Sequence, residues 1–117
     1  VTPQARRYLP DAQGLADASL TPEARFQVQV IGLARRLNYR AYHTHDSRRS
    51  EAGFPDLVLV RPPRVIFIEL KAGRRRLTPE QMAWMAELET CTEVDAFVLR
   101  SGRDGSADLT ALAERLG

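Results

Sequence analysis

Gly53-Phe54-Pro55-Asp56-Leu57-Val58-Leu59-Val60-Arg61-Pro62-Pro63-Arg64-Val65-Ile66-Phe67-Ile68-Glu69-Leu70-Lys71 is the stretch on which the fold turns. It contains two apolar runs, Leu57–Val60 and Arg64–Leu70, rich in the β-branched and aromatic residues that suit a pleated surface. Pro62 and Pro63 between them lack the N–H that a strand ladder needs, so the chain turns there and the two runs form a β-hairpin. Neither run alternates with polar residues, which predicts strands covered on both faces by helices.

The flanking sequence supplies those helices. Upstream, Thr21-Pro22-Glu23 combines an N-cap residue, a proline at the first helical position and an acid in the first turn. Phe26, Val30, Leu33 and Leu37 then recur at helical spacing, so a helix is expected to about Asn38. Tyr39 to Asp46 reads as a short strand and Ser47 to Gly53 as a polar loop. Downstream, Ala72 to Arg76 is a basic turn, and Thr78-Pro79-Glu80-Gln81 starts a second helix with Thr78 and Gln81 at capping-box spacing. That helix should reach about Glu89, with Trp84 and Met85 in the core. Val94 to Arg100 is a fourth strand, and Asp108 caps a last helix with a Leu109, Leu112, Leu116 stripe. The expected fold is α/β: a mixed sheet flanked by helices, within one domain at 21–117. Residues 1–20 read as a loosely ordered arm.

Composition narrows the functional classes. The chain has 117 residues, 44% hydrophobic and 27% charged, which suits one globular unit with a single core. One cysteine, Cys91, allows no intrachain disulfide, and no apolar run approaches the roughly 20 residues that span a bilayer. The reading is a cytoplasmic protein. A net charge of +2 says little, but its distribution says more: Arg61 to Arg76 holds six basic residues against the single acid Glu69. From Leu77 onward the acids outnumber the bases eight to three. A basic face backed by an acidic one is expected, and a polyanion would meet the first.

The hairpin ends carry the chemistry. Asp56 opens one arm and Glu69-Leu70-Lys71 closes the other, so Asp56 is expected to lie opposite Glu69. Side-chain alternation directs Glu69 and Lys71 to the same side, roughly 6–7 Å apart. Two carboxylates about 4 Å apart repel by roughly 4 kcal/mol at an effective dielectric near 20, a conflict that a divalent cation removes. Oxygen ligands without a Cys/His cluster favour Mg²⁺ or Mn²⁺ over zinc. Such an ion makes a water more acidic and screens charge on a phosphate, the chemistry of phosphodiester hydrolysis. Lys71 can orient or deprotonate that water, or hold a nonbridging phosphate oxygen.

The ordered set Gly53-Phe54-Pro55-Asp56, Val65–Ile68, Glu69-Leu70-Lys71 and Leu77-Thr78-Pro79-Glu80-Gln81, with Trp84 after it, resembles the VRR-NUC branch of the PD-(D/E)xK nucleases, over about Glu23 to Arg100. The resemblance implies a restriction-endonuclease-like αβββαβ core, one or two Mg²⁺ or Mn²⁺ ions and structure-selective DNA cleavage. It implies metal ligation by Asp56, Glu69 and the carbonyl of Leu70, catalysis or orientation of water by Lys71, and places for Glu23 and Gln81 in the catalytic set, as the family's first-helix glutamate and second-helix glutamine. Stand-alone viral and bacterial members of the group look like homodimeric Holliday-junction resolvases, which implies branched DNA and a second copy of the chain as partners, in DNA repair and recombination.

Each residue also has a plainer reading. Asp56 suits a turn, Glu69 and Lys71 suit a structural ion pair, Gln81 suits a capping box and Glu23 suits a helix dipole. His43 and His45 read as structural. Arg74, Arg75 and Arg76, with Arg48 and Arg49 before Asp56, read either as solvated charge or as contacts to backbone phosphates. A non-catalytic DNA-binding module of the same fold is the alternative. Flap or nicked DNA, a sequence-specific duplex or RNA remain open as substrates, because no pattern marks a base-reading element.

Overall fold

The computed structural model describes residues 20–44 and 49–117, so the expected arm lies almost wholly outside the described residues. Helix α1 (Pro22–Arg36) begins where the sequence announces it: Thr21 Oγ1 accepts from the Ala24 N–H at 3.1 Å, and Pro22 takes the first position. It stops slightly before Asn38, which adopts a left-handed conformation (φ 70°) that a short polar side chain tolerates and that turns the chain into the sheet. Strand β1 (Arg40–His43) is shorter than expected. Thr44 extends the pairing by one bond, its N–H donating to the Asp56 carbonyl at 3.1 Å, and the rest of the expected strand lies outside the described residues.

Strands β2 (Leu57–Arg61) and β3 (Arg64–Ala72) form the hairpin, with Arg61 opposite Arg64 and Leu57 opposite Ile68. β3 runs beyond Leu70 because β4 (Asp95–Ser101) pairs with it in parallel through Lys71↔Arg100 and Ala72↔Ser101. A parallel pair needs a crossover, which helix α2 (Pro79–Thr90) provides. Helix α3 (Leu109–Leu116) ends the chain's regular structure. The sheet order β1-β2-β3-β4, antiparallel except for β3–β4, gives the mixed sheet and the αβββαβ order that were expected.

The two sheet faces are not equally covered. On one, Leu57, Leu59, Ile66 and Ile68 are wholly buried with Phe26 and Val30 of α1 and Leu112 and Leu116 of α3. Each large side chain buried there contributes about 1.5–3 kcal/mol. On the other, Val58, Val60, Val65 and Phe67 are only half-buried, so full burial on both sides is not what the continuous apolar runs encode. The single connection between β3 and β4 supplies one helix to that face. There Phe54 packs edge-to-face on Phe67 and Trp84, with centroids 6.1 and 5.1 Å apart, and Met85 is buried.

Arg61 and Arg64 do not belong to a basic face. They sit at the hairpin turn, where Arg61 donates to the carbonyls of Leu37 and Leu116 and stacks 4.4 Å over the Tyr39 ring. Arg64 donates to Tyr39 Oη and to the carbonyls of Arg115, Leu116 and Gly117. Both guanidinium groups satisfy carbonyls that a helix end leaves unpaired.

Candidate active site

At the other end of the hairpin two carboxylates converge from different strands. Asp56 directly precedes β2, and continuing the Leu57↔Ile68 register sets it opposite Glu69. It is held by backbone, with its Oδ2 accepting from the Leu70 N–H at 2.8 Å. Glu69 leaves β3 on the side away from Ile68 and Leu70, as alternation requires, and is only 2% exposed. Its Oε2 accepts from Gln81 Nε2 at 3.1 Å, whereas its Oε1 is buried without a hydrogen-bond partner.

A carboxylate in that setting holds a proton. Burial first, then the adjacent carboxylate of Asp56, push the Glu69 carboxyl from its ordinary 4.5 up to about 8, with Lys71 pulling the other way. Lys71 lines the same cleft but forms no ion pair with Glu69 within 4 Å among the described residues. The structural ion pair that the sequence allowed is therefore not what occupies Glu69.

The two readings of Gln81 turn out to be compatible. Its Oε1 accepts from the Thr78 N–H at 2.9 Å and its own N–H donates to Thr78 Oγ1 at 3.1 Å, completing the capping box. That arrangement uses the amide oxygen and aims the amide nitrogen at Glu69. Glu23, in the first turn of α1, lines the cleft with Asp56, Glu69, Leu70, Lys71 and Gln81, a space of about 200 Å³. It stays partly exposed and lies 3.6 Å from Arg75 Nη1. A second cleft of about 190 Å³, bounded by Thr44, Ser50, Glu51 and Phe54, shares Asp56 and Gln81 as its wall with the first.

The donor set fits a hard divalent cation. The unpartnered Glu69 Oε1 is the atom that such an ion would satisfy, Asp56 stands beside it, and both are oxygen donors. Among the described residues no group of three or more His, Cys, Asp or Glu side chains gathers as a metal cluster. A set of one or two carboxylates with water completing the shell is the magnesium pattern rather than the zinc one.

The remaining expected residues divide by place. Arg74, Arg75 and Arg76 follow β3 as an exposed turn beside Lys71. Arg49 is exposed in the loop before Asp56, while Arg48 and His45 lie outside the described residues. His43 meets Gln27 Nε2 at 3.3 Å and does not line the cleft. Gln27 itself lines the cleft and was not singled out from the sequence. Its signal was available, since it follows Glu23 by four residues on a helix and so shares its face.

Comparisons with known proteins bear on the family and the fold. The family model described as "VRR-NUC domain" matches residues 15–103. A solved structure titled "VRR_NUC domain" superposes with a TM-score of 0.64 at 20% identity, covering 81% of this chain and 97% of that one. Comparison with proteins of curated function returned no match.

Proposed function

The chain belongs to the VRR-NUC family, within the PD-(D/E)xK nucleases, and from that premise we propose that it is a Mg²⁺- or Mn²⁺-dependent endonuclease hydrolysing phosphodiester bonds of branched DNA. The observation that carries the reading is the buried, unpartnered Oε1 of Glu69 beside Asp56, in a cleft that also holds Lys71. Asp56, Glu69 and the Leu70 carbonyl are the groups assigned to the ion. When bound, it supplies a more acidic water and screens charge on the phosphate. Gln81 orients Glu69 through its amide nitrogen, so the carboxylate is aimed before any ligand arrives. Lys71, which has no ion-pair partner within 4 Å among the described residues, is assigned to the attacking water or a nonbridging phosphate oxygen. Glu23, which lines the same cleft and lies 3.6 Å from Arg75 Nη1, is assigned to the catalytic set beside Lys71. Arg49, Arg74, Arg75 and Arg76 hold the backbone without reading sequence.

Two strands cut by so small a domain call for two sites, so the active species is assigned as a homodimer. The test is a cleavage panel of four-way junction, flap, nicked and linear duplex DNA, with Mg²⁺ and with EDTA. Cutting is expected on branched substrates only with the metal, and is expected to vanish in Asp56→Asn and Lys71→Ala. Cleavage that survives EDTA or either substitution overturns the assignment of the site. Salt-sensitive binding without cleavage under Mg²⁺ or Mn²⁺ identifies a DNA-binding module instead. A strictly monomeric scatterer that still resolves junctions removes the dimer.

A further inference from the structure

Positive charge beside the cleft does not stop at the three arginines of the turn. In the parallel pair β3–β4, Lys71 is in register with Arg100, so both side chains leave the same sheet face about 4.8 Å apart at strand spacing. Arg100 is exposed, and its Nη1 donates to the carbonyls of Gly73 (3.3 Å) and Arg75 (2.6 Å). Those bonds pin the basic turn against β4, and the Gly73 N–H donates to the Ser101 carbonyl at 3.0 Å from the same side. Arg103, exposed in the loop after β4, runs its side chain past Gly73, where a Cβ would touch its Cγ at 3.4 Å.

Carbonyl oxygens satisfy N–H groups without cancelling a charge. Among the described residues Arg74, Arg76, Arg100 and Arg103 have no carboxylate partner, and only Arg75 of this group is paired, with Glu23. Arg64 and Arg115, at the far end of the sheet, both face Asp95. A cationic band in which, among the described residues, Arg75 alone is ion-paired therefore starts at Lys71 and crosses the end of β4.

We propose that Arg100 and Arg103 are backbone-phosphate contacts that carry the nucleic-acid strand away from the cleft across the end of β4. The assignment rests on the reading of the protein as a DNA-cleaving enzyme and adds the path of the substrate. Guanidinium groups on phosphates neutralise charge and release counterions, so the contacts are independent of sequence and dependent on salt.

The experiment measures binding of a fluorescent duplex and a four-way junction in EDTA across a salt series, separately from cleavage. Arg100→Ala and Arg103→Ala are each expected to reduce the slope of log K against log salt by about 1, and the double variant by about 2. Arg40→Ala serves as control, because Arg40 is exposed on β1 opposite Val60, at the sheet end remote from the cleft, and its slope is expected to stay unchanged. Arg100→Lys keeps the charge while losing the two-carbonyl grip, and is expected to keep the slope. If Arg100→Ala does not fold, Arg103→Ala and Arg100→Lys carry the test. Unchanged slopes in Arg100→Ala and Arg103→Ala, or a slope lost equally in Arg100→Lys, overturn the proposal. Metal-dependent cleavage by wild type under those outcomes leaves the nuclease reading standing.

Discussion

A carboxyl that keeps its proton to about pH 8 makes the apo protein sensitive to pH in a defined direction. In the unfolded chain Glu69 titrates near its ordinary 4.5, so between that value and about 8 the native state binds a proton that the unfolded state has released. Stability from this group is fully present below the unfolded value and is lost as pH rises through about 8. Thermal melts in EDTA are expected to fall in midpoint from pH 5 to pH 8.5, and Glu69→Gln is expected to flatten that fall. A steeper fall in the variant would show that another group is responsible. Divalent metal and the proton compete for the same carboxylate, so Mg²⁺ is expected to raise the melting midpoint more at pH 8 than at pH 6. Equal shifts at the two pH values would separate the ion from Glu69.

The element that aims the site is the Gly53–Asp56 segment seated on the start of α2. Gly53 has φ of +86°, and a Cβ there would collide with the Glu80 backbone and stand 2.7 Å from Gln81 N. Trp84 Nε1 donates to the Ala52 carbonyl at 3.1 Å while its ring meets Phe54, so α2 grips the loop that carries Asp56. Gly53→Ala is expected to cost about 1–3 kcal/mol in denaturant unfolding and to reduce kcat, because relief of the collision moves Asp56 away from Gln81. Full activity in a stably folded Gly53→Ala protein would uncouple the loop from the site. Thr78→Ala removes the hydroxyl of the capping box and is expected to cost about 1 kcal/mol. The same substitution frees Gln81 to swing, so its activity should fall further than its stability implies.

Across the whole molecule, the hairpin runs from the cleft at one end to the anchor of α3 at the other. Tyr39 Oη donates to the Leu116 carbonyl at 2.8 Å and accepts from Arg64 Nη1 at 2.8 Å, beneath the Arg61 guanidinium. Tyr39→Phe is expected to cost about 1–2 kcal/mol and to lower the melting midpoint by roughly 5–10 °C. Its kcat and KM should be unchanged, since none of the bonds broken touches the cleft. A selective loss of activity in that variant would mean that the two ends of the sheet are coupled. No described helix is long and apolar enough to cross a membrane.

Local chemistry was enough for most of the fold. Threonine-proline starts, the double-proline turn and unbroken β-branched runs bias φ and ψ within a few residues, so α1, α2 and the hairpin were legible from Thr21, Thr78 and Pro62-Pro63 alone. Alternation likewise put Glu69 and Lys71 on one side and brought Asp56 opposite. What followed from pairing between distant segments was decided in three dimensions. The parallel partner β4 extended β3 through Lys71 and set Arg100 beside it, and the docking of α3 drew Arg61 and Arg64 away from the basic face. Burial left Glu69 with one unpartnered oxygen and a raised pKa. Charge counted along a chain does not reveal which groups fold together, because the carbonyls that Arg64 binds at the end of α3 lie more than fifty residues away and the desolvation of Glu69 is created by side chains from other elements.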